Sequence, residues 1–174
     1  MDPQILEKAK KIKLLVLDLD GVLTDGKIYY GNYGDELKAF DVKDGFGIIL
    51  LKRAKIETVI ITAKKSKVAK LRARDIGIKL VYENSSKLKV FGKLLRKFGV
   101  AKEEVCYIGD DLIDIPALKS SGLSVAVPQA VYEVKSIAAY TTKANAGSGA
   151  VREVCDLILQ AQGKWAEVTR KYFT

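Results

Sequence analysis

The sequence predicts an α/β fold: a doubly wound, mainly parallel sheet with a projecting β-hairpin and no cap domain. Three observations predict it. Short apolar runs of strand character recur at residues 13–17, 58–61, 79–81, 105–108 and 123–127. Segments of helical spacing separate most of them, the alternation expected of a parallel sheet covered on both faces. No long insertion breaks that rhythm, and 174 residues suit one folding unit, spanning 1–174, with a single sizeable core.

The first run, Leu15-Val-Leu, leads directly into Asp18-Leu-Asp20-Gly21. The stretch that follows departs from the βαβ pattern. In Lys27-Ile-Tyr-Tyr-Gly-Asn-Tyr-Gly-Asp-Glu-Leu-Lys-Ala-Phe40 two strand-like pieces flank a Gly/Asn-rich turn, a hairpin over residues 27–41 that projects from the end of the first strand. Ile28, Tyr29, Tyr30 and Tyr33 on it must cover something or be covered. Farther along, Leu88, Phe91, Leu95 and Phe98 share one helical stripe, and Val151, Val154, Ile158 and Ala161 share another; both read as core. The C-terminal tail, residues 145–174, opens with Ala146-Gly-Ser-Gly-Ala-Val-Arg152. Glycines at that density suit either close backbone approach to a ligand or a flexible linker before the last helix.

Composition narrows the chemistry. With 48% hydrophobic and 29% charged residues and only three Pro, the chain is a folding rather than a disordered sequence. It contains no His, which excludes Ser-His-Asp triads and His-ligated zinc, so catalysis must rest on carboxylates, Lys and hydroxyls. No apolar stretch approaches a bilayer span, and residues 1–13 are Lys-rich without the apolar centre of a signal peptide; a cytoplasmic location without a membrane partner is expected. Cys106 and Cys155 sit in apolar surroundings, as buried reduced thiols do.

The net charge is +9, and much of the excess lies between Lys52 and Arg74, where nine basic residues face one acid, Glu57. That face lacks interleaved aromatics and any groove-reading motif, so a solvated helix face, or a positive field around an anionic substrate, fits it better than nucleic acid.

Two acidic clusters follow apolar strands. Asp18 and Asp20 would point to opposite faces of an extended strand, but a turn at Gly21 can bring both around one small space. An Asp-x-Asp pair also ends strands with no further role. In Tyr107-Ile-Gly-Asp110-Asp111-Leu-Ile-Asp114, Asp110 and Asp114 share a face if a helix begins there, while Asp111 suits an N-cap. Crowded carboxylates repel unless a cation joins them, and hard oxygen ligands suit Mg²⁺. Between the clusters lie Thr62, at another strand end, and Lys87. What singles them out is order: acid pair, Thr, Lys, acid cluster, each at a strand end or the start of the next helix.

In these residues the chain resembles the haloacid dehalogenase superfamily of phosphotransferases, through Asp18-x-Asp20-x-x-x-Thr24, Thr62, Lys87 and Gly109-Asp-Asp-x-x-Asp114. Nearly the whole chain is similar to the 3-deoxy-D-manno-octulosonate 8-phosphate phosphatase family, in Asp25-Gly-Lys-Ile-Tyr-Tyr-Gly-Asn32, Val42-Lys-Asp-Gly-Phe-Gly-Ile48 and Gly149-Ala-Val-Arg-Glu-Val-Cys-Asp-Leu-Ile158. The resemblance implies a capless, tetrameric, Mg²⁺-dependent phosphomonoesterase acting on a sugar-acid phosphate. It implies Asp18 as nucleophile, Asp20 as general acid/base, and Thr62 and Lys87 on the phosphoryl oxygens. Asp18, the Asp20 carbonyl and Asp110 would hold the metal, with Asp111 and Asp114 behind them. Gly21, Gly45, Lys64 and Arg72 would contact substrate, Arg72 being open to a bland reading as surface charge. The hairpin would assemble the tetramer, and the glycine-rich tail would lie near a neighbour's site. An Asp of ordinary pKa, near 3.9, would be ionised at neutral pH and need no His to activate it.

Two positions depart from the family pattern. Ala63-Lys64 stands where the family has Gly-Arg, and Ser148 stands where a basic residue often precedes Gly-Ala. Lys cannot reproduce the bidentate grip of Arg, so these positions bear on substrate rather than reaction type. A nonulosonate 9-phosphate is the alternative substrate. A receiver-like phosphoaspartate signalling module is the alternative class, although its acids would not be expected to open on the first strand before every other motif.

Overall fold

The computed structural model describes residues 2–174. In chain order its elements are α1 (Pro3–Lys10), β1 (Leu14–Leu17), β2 (Tyr29–Tyr30), β3 (Glu36–Leu37), α2 (Val42–Arg53), β4 (Glu57–Thr62), α3 (Lys67–Asp75) and β5 (Leu80–Glu83). They continue with α4 (Lys87–Phe98), β6 (Val105–Gly109), α5 (Ile115–Ser120), β7 (Leu123–Ala126), α6 (Tyr132–Ile137), β8 (Tyr140–Thr141), α7 (Ala150–Ala161) and α8 (Trp165–Thr169).

Six strands form one sheet in the order β5-β4-β1-β6-β7-β8, and every pairing within it is parallel. Parallel neighbours need crossover connections, and here helices supply them. From β1 the chain steps outward through α2 to β4 and through α3 to β5. It then crosses back through α4 to β6 on the other side of β1. The strand order therefore reverses at β1, and the C-terminal ends of β1 and β6 flank the crevice where open α/β sheets bind ligands.

The central strands β1, β6 and β7 are buried along their whole length, as strands covered on both faces must be. On one face α7 packs against α1 and α2; on the other α5 packs between α4 and α6. One buried acid fastens the first layer. Asp44, in the first turn of α2, accepts from the backbone N–H groups of Gly149 (3.3 Å) and Arg152 (2.7 Å) at the start of α7. Burial pushes its carboxyl up to about 6 against those hydrogen bonds. Close approach there needs Gly47, where a Cβ would stand 2.9 Å from Arg152 Cδ and 3.2 Å from Arg152 Cα.

The five expected strands are present with ends moved by a residue or two, and the two-residue β8 adds an edge too short for periodicity to reveal. The stripe expected on α4 is corrected. The helix buries Lys87, Val90, Phe91 and Leu94, whereas Leu88 is 48% exposed. The apolar spacing was right in period but rotated, because Lys87 occupies the inward position that Leu88 was expected to share. The tail is no free linker either. Gly147 donates its N–H to the Val22 carbonyl (3.1 Å), with φ +60 and an imaginary Cβ 2.5 Å from Asp25 N, so only glycine seats the tail against the loop after β1. The helix it precedes is α7, and α8 comes after it.

The hairpin pairs β2 and β3 antiparallel, Tyr29 opposite Leu37 and Tyr30 opposite Glu36, as a ribbon separate from the main sheet. Tyr29, Tyr30, Tyr33 and Leu37 on it are exposed. Both cysteines are buried and unpaired, and burial pushes their thiols up. Among the described residues no helix is long and apolar enough to cross a membrane.

Candidate active site

Three strand ends converge on one small cleft of about 160 Å³, lined by Asp18 and Asp20 after β1, Thr62 and Lys64 at the end of β4, and Asp110 and Asp111 after β6. A larger depression of about 560 Å³ lies at the opposite, N-terminal end of the strands, between Lys10, Lys13, Arg53 and Lys164. Surface cations line it with two separate acids, Glu104 and Glu167, whereas the group of three carboxylates within 4.8 Å of one another, Asp18, Asp110 and Asp114, lies at the smaller cleft.

At the centre is a buried ionic chain. The Lys87 ammonium, entering from the first turn of α4, lies 2.8 Å from Asp18 Oδ1 and 2.6 Å from Asp114 Oδ1. Tyr107 on β6 donates its hydroxyl to the same Asp114 oxygen at 2.7 Å. The other Asp114 oxygen accepts from the backbone N–H groups of Asp110 (3.2 Å) and Asp111 (3.3 Å). Asp114 is thus fully engaged in holding its neighbours. Burial alone would lower the Lys87 ammonium, but Asp18 and Asp114 outweigh it and hold it above its usual value.

Asp110 differs from Asp114 in one respect: its Oδ1 is buried and has no hydrogen-bond partner. Such an orphan atom calls for a missing ligand. Oxygens of Asp18, Asp110 and Asp114 lie within 4.8 Å of one another, and the hard carboxylate set fits a divalent cation such as Mg²⁺. Without a cation, burial and then the charges of Asp18 and Asp114 push the Asp110 carboxyl up to about 8. Burial and then Asp114 push Asp18 up to about 6, more than Lys87 pulls it down. The expectation of an ordinary carboxylate at Asp18 is therefore corrected: its side chain is nearly sealed from water.

The loop after β1 is shaped by Gly21 and Thr24. Gly21 has φ +85, and a Cβ there would stand 2.0 Å from Asp110 Oδ2, so a side chain at this turn would fill the space Asp110 occupies. Buried Thr24 accepts from the Gly21 N–H (3.3 Å) and the Gly26 N–H (3.2 Å), pinning the turn. Thr62, buried, makes only a long contact to the Lys64 carbonyl (3.4 Å), which leaves its hydroxyl free to turn toward a ligand. Asp111 caps the short helical turn Leu112–Asp114 by accepting from the Leu112 N–H at 2.7 Å, so its N-cap reading holds. No helix begins at Asp110, and Asp110 and Asp114 are brought together by the short turn Leu112–Asp114 and the hydrogen bond from the Asp110 N–H to Asp114 Oδ2.

Two residues expected on substrate are placed elsewhere. Arg72 does not line the cleft; it donates to the Asp41 carbonyl at 2.9 Å and lies over the Phe40 ring. Gly45 also stands outside the cleft, and a Cβ on it would meet Arg72 Nη2 at 2.5 Å, so it makes room for that arginine. Lys64 stays at the rim, where its ammonium donates to Tyr30 Oη and Glu36 Oε2, each at 3.0 Å.

Sequence reading missed Lys38, Glu36 and Tyr107. Lys38 reaches from the hairpin to pair with Asp20, and lies 3.2 Å from Glu36 Oε1. Nothing in a Glu-Leu-Lys stretch on an exposed ribbon signals that contact. Tyr107 offered a signal, since a tyrosine within an otherwise apolar buried strand needs a partner for its hydroxyl.

The haloacid dehalogenase-like hydrolase family matches residues 32–154. The 3-deoxy-D-manno-octulosonate 8-phosphate phosphatase of Salmonella typhimurium is 50% identical to this chain over 96% of this chain and 89% of its own length. The crystal structure of the Yersinia pestis phosphatase of the same name aligns with a TM-score of 0.93 at 47% identity, covering 94% of this chain and 89% of that one. The Moraxella catarrhalis phosphatase, solved with a magnesium ion, a phosphate ion and KDO, aligns with a TM-score of 0.95 at 38% identity over 99% of both chains. With this sheet order and this cluster of strand-end acids, the chain belongs to the haloacid dehalogenase-like hydrolases, as a phosphatase of the 3-deoxy-D-manno-octulosonate 8-phosphate phosphatase family.

Proposed function

We propose that this phosphatase hydrolyses 3-deoxy-D-manno-octulosonate 8-phosphate to the free sugar acid and phosphate, through a phosphoaspartate formed on Asp18. The observation that carries the reading is the placement of Asp18: a carboxylate at the mouth of the sheet's switch point, 2.8 Å from the Lys87 ammonium and beside the orphan oxygen of Asp110. The substrate rests on the relatives, one half identical to this chain and another solved with phosphate and KDO.

The residues supply each step. Asp18 attacks phosphorus in line with the leaving alkoxide, and protonated Asp20 passes its proton to that oxygen as the P–O bond breaks. The Asp20 carboxylate then takes a proton from the water that attacks the phosphoaspartate, which releases phosphate and restores Asp18. Lys87 and the Thr62 hydroxyl bind the equatorial oxygens as charge redistributes over them. Asp18, Asp110 and the Asp20 carbonyl would hold Mg²⁺, which would supply charge to offset repulsion between the nucleophile and a phosphate dianion. Asp114 orients Asp110 and Lys87 rather than ligating, because both of its oxygens are already engaged. Burial and the neighbouring Asp114 raise the Asp18 carboxyl when no cation is bound, and a bound cation would offset that rise and favour the ionised nucleophile.

We also infer a cytoplasmic enzyme that assembles as a homotetramer through the exposed hairpin tyrosines. Membership in a phosphatase family removes the receiver-like reading. The test is Asp18→Asn and Asp20→Asn on a panel of phosphomonoesters, with and without chelator. Both variants and the chelated enzyme should lose most activity, and undiminished hydrolysis in all three would refute the scheme. If the octulosonate phosphate turns over no faster than a nonulosonate 9-phosphate or generic esters, the substrate assignment fails while the mechanism stands.

A further inference from the structure

The hairpin carries one side chain that its surroundings do not explain. Lys38 follows an exposed two-residue strand, yet its side chain is 0% exposed. Lys is almost never fully covered unless paired, because an ammonium taken out of water is unfavourable until a partner offsets the lost hydration. A two-stranded ribbon is only marginally stable by itself, so an isolated hairpin would favour leaving this residue in water. Instead the ammonium sits between the Asp20 carboxylate and Glu36 Oε1 (3.2 Å). Glu36 is in turn fixed by Lys64 (3.0 Å) and by the Ser66 hydroxyl (3.3 Å), both in or beside the loop after β4. Asp20, the only one of the cleft's strand-end acids bound from the hairpin side, is thereby tied to two other parts of the fold.

We propose that Lys38 is a positioning residue for the reaction: its ammonium, braced by Glu36, holds Oδ1 of Asp20 and so orients the other carboxyl oxygen, which carries the proton in the first step, toward the leaving-group oxygen. This deepens the reading of Asp20 as acid/base and rests on it. The end of β1 places the Asp20 backbone, but a side chain on a glycine turn keeps several rotamers, and the hairpin selects one. Misplacing a catalytic group by about 1 Å lowers rate by about 10²-fold, which sets the effect expected of losing the tether.

The experiment compares Lys38→Met, Lys38→Arg and Asp20→Asn in the Mg²⁺-loaded full chain. It measures the pre-steady-state burst of leaving-group release from a sugar-acid phosphate, whose alkoxide needs a proton, and from p-nitrophenyl phosphate, whose phenolate does not. Lys38→Met should slow the alkyl burst by about 10²-fold and the nitrophenyl burst by a few-fold, the same selectivity as Asp20→Asn, with partial recovery in Lys38→Arg. The ratio of the two bursts is taken within one preparation, so a reduced folded fraction cancels. If Asp20→Asn is selective and Lys38→Met slows both substrates equally, Lys38 only supports the hairpin and the proposal is overturned while Asp20 stands. If Asp20→Asn shows no selectivity, the reading of Asp20 falls and the proposal with it.

Discussion

Stability without a cation should fall as pH rises from 6 to 8, and Asp110 is the reason. Its carboxyl is pushed from an ordinary 3.8 to about 8 by burial and by Asp18 and Asp114. Between those values the folded chain keeps a proton that the unfolded chain has released. A raised folded pKa contributes stability that is complete below 3.8 and lost as pH climbs through about 8. Asp18, raised to about 6, adds to the loss only at lower pH. Each pH unit of such a difference is about 1.4 kcal/mol, and since the group is half ionised at its own pKa a fully buried one would remove about 2.3 kcal/mol between pH 6 and 8. Asp110 is half-buried, and solvent screening reduces this to about 1–2 kcal/mol, roughly 3–6 °C in melting temperature for a chain of this size. The assay is thermal and urea unfolding at pH 6, 7 and 8, in EDTA and in saturating Mg²⁺. The cation needs its ligands deprotonated, so its stabilisation should grow with pH and flatten the profile. Asp110→Asn should flatten the EDTA profile above pH 6 and abolish the gain from Mg²⁺. A flat wild-type profile in EDTA, or an undiminished Mg²⁺ gain in Asp110→Asn at pH 8, would refute the reasoning.

Two further substitutions separate the parts of the site. Lys87→Met leaves Asp18 and Asp114 buried without their shared cation; it should destabilise by about 3–5 kcal/mol in EDTA, measured by urea unfolding, and abolish phosphate release. Gly21→Ala places a Cβ 2.0 Å from Asp110 Oδ2 on a turn with φ +85, so it should weaken Mg²⁺ binding, read by calorimetry, by more than about tenfold, and destabilise by about 1–3 kcal/mol.

The pairing of Asp20 with the hairpin bears on how a small, capless phosphatase keeps a strand-end carboxyl in place. The cleft has no separate lid among the described residues; the Lys38 and Lys64 side chains, with Glu36 and Tyr30 between them, approach it from the hairpin and the loop after β4, and Lys87 enters from α4. Lys64, standing where the family carries Arg, lines the rim of the cleft with its ammonium held by Tyr30 and Glu36.

Much was legible in the sequence because it is local. Strand ends followed by Asp18-x-Asp20-Gly21 and Gly109-Asp110-Asp111 mark the mouth of a parallel sheet, since strand length and period are written in consecutive residues. Thr62 and Lys87 became legible by their order alone. Tertiary structure decided what depends on residues distant in sequence. It set the face of α4 that turns inward, with Lys87 rather than Leu88 committed to the core. It turned Arg72 toward the Asp41 carbonyl and away from the cleft, through a fit with Gly45 that no spacing encodes. It raised Asp18 and Asp110 above ordinary carboxylates, because desolvation is a property of the assembled surroundings and not of the residue. And it brought Lys38 over Asp20, 18 residues apart, because a hairpin that leaves the sheet can fold back over the strand end it left.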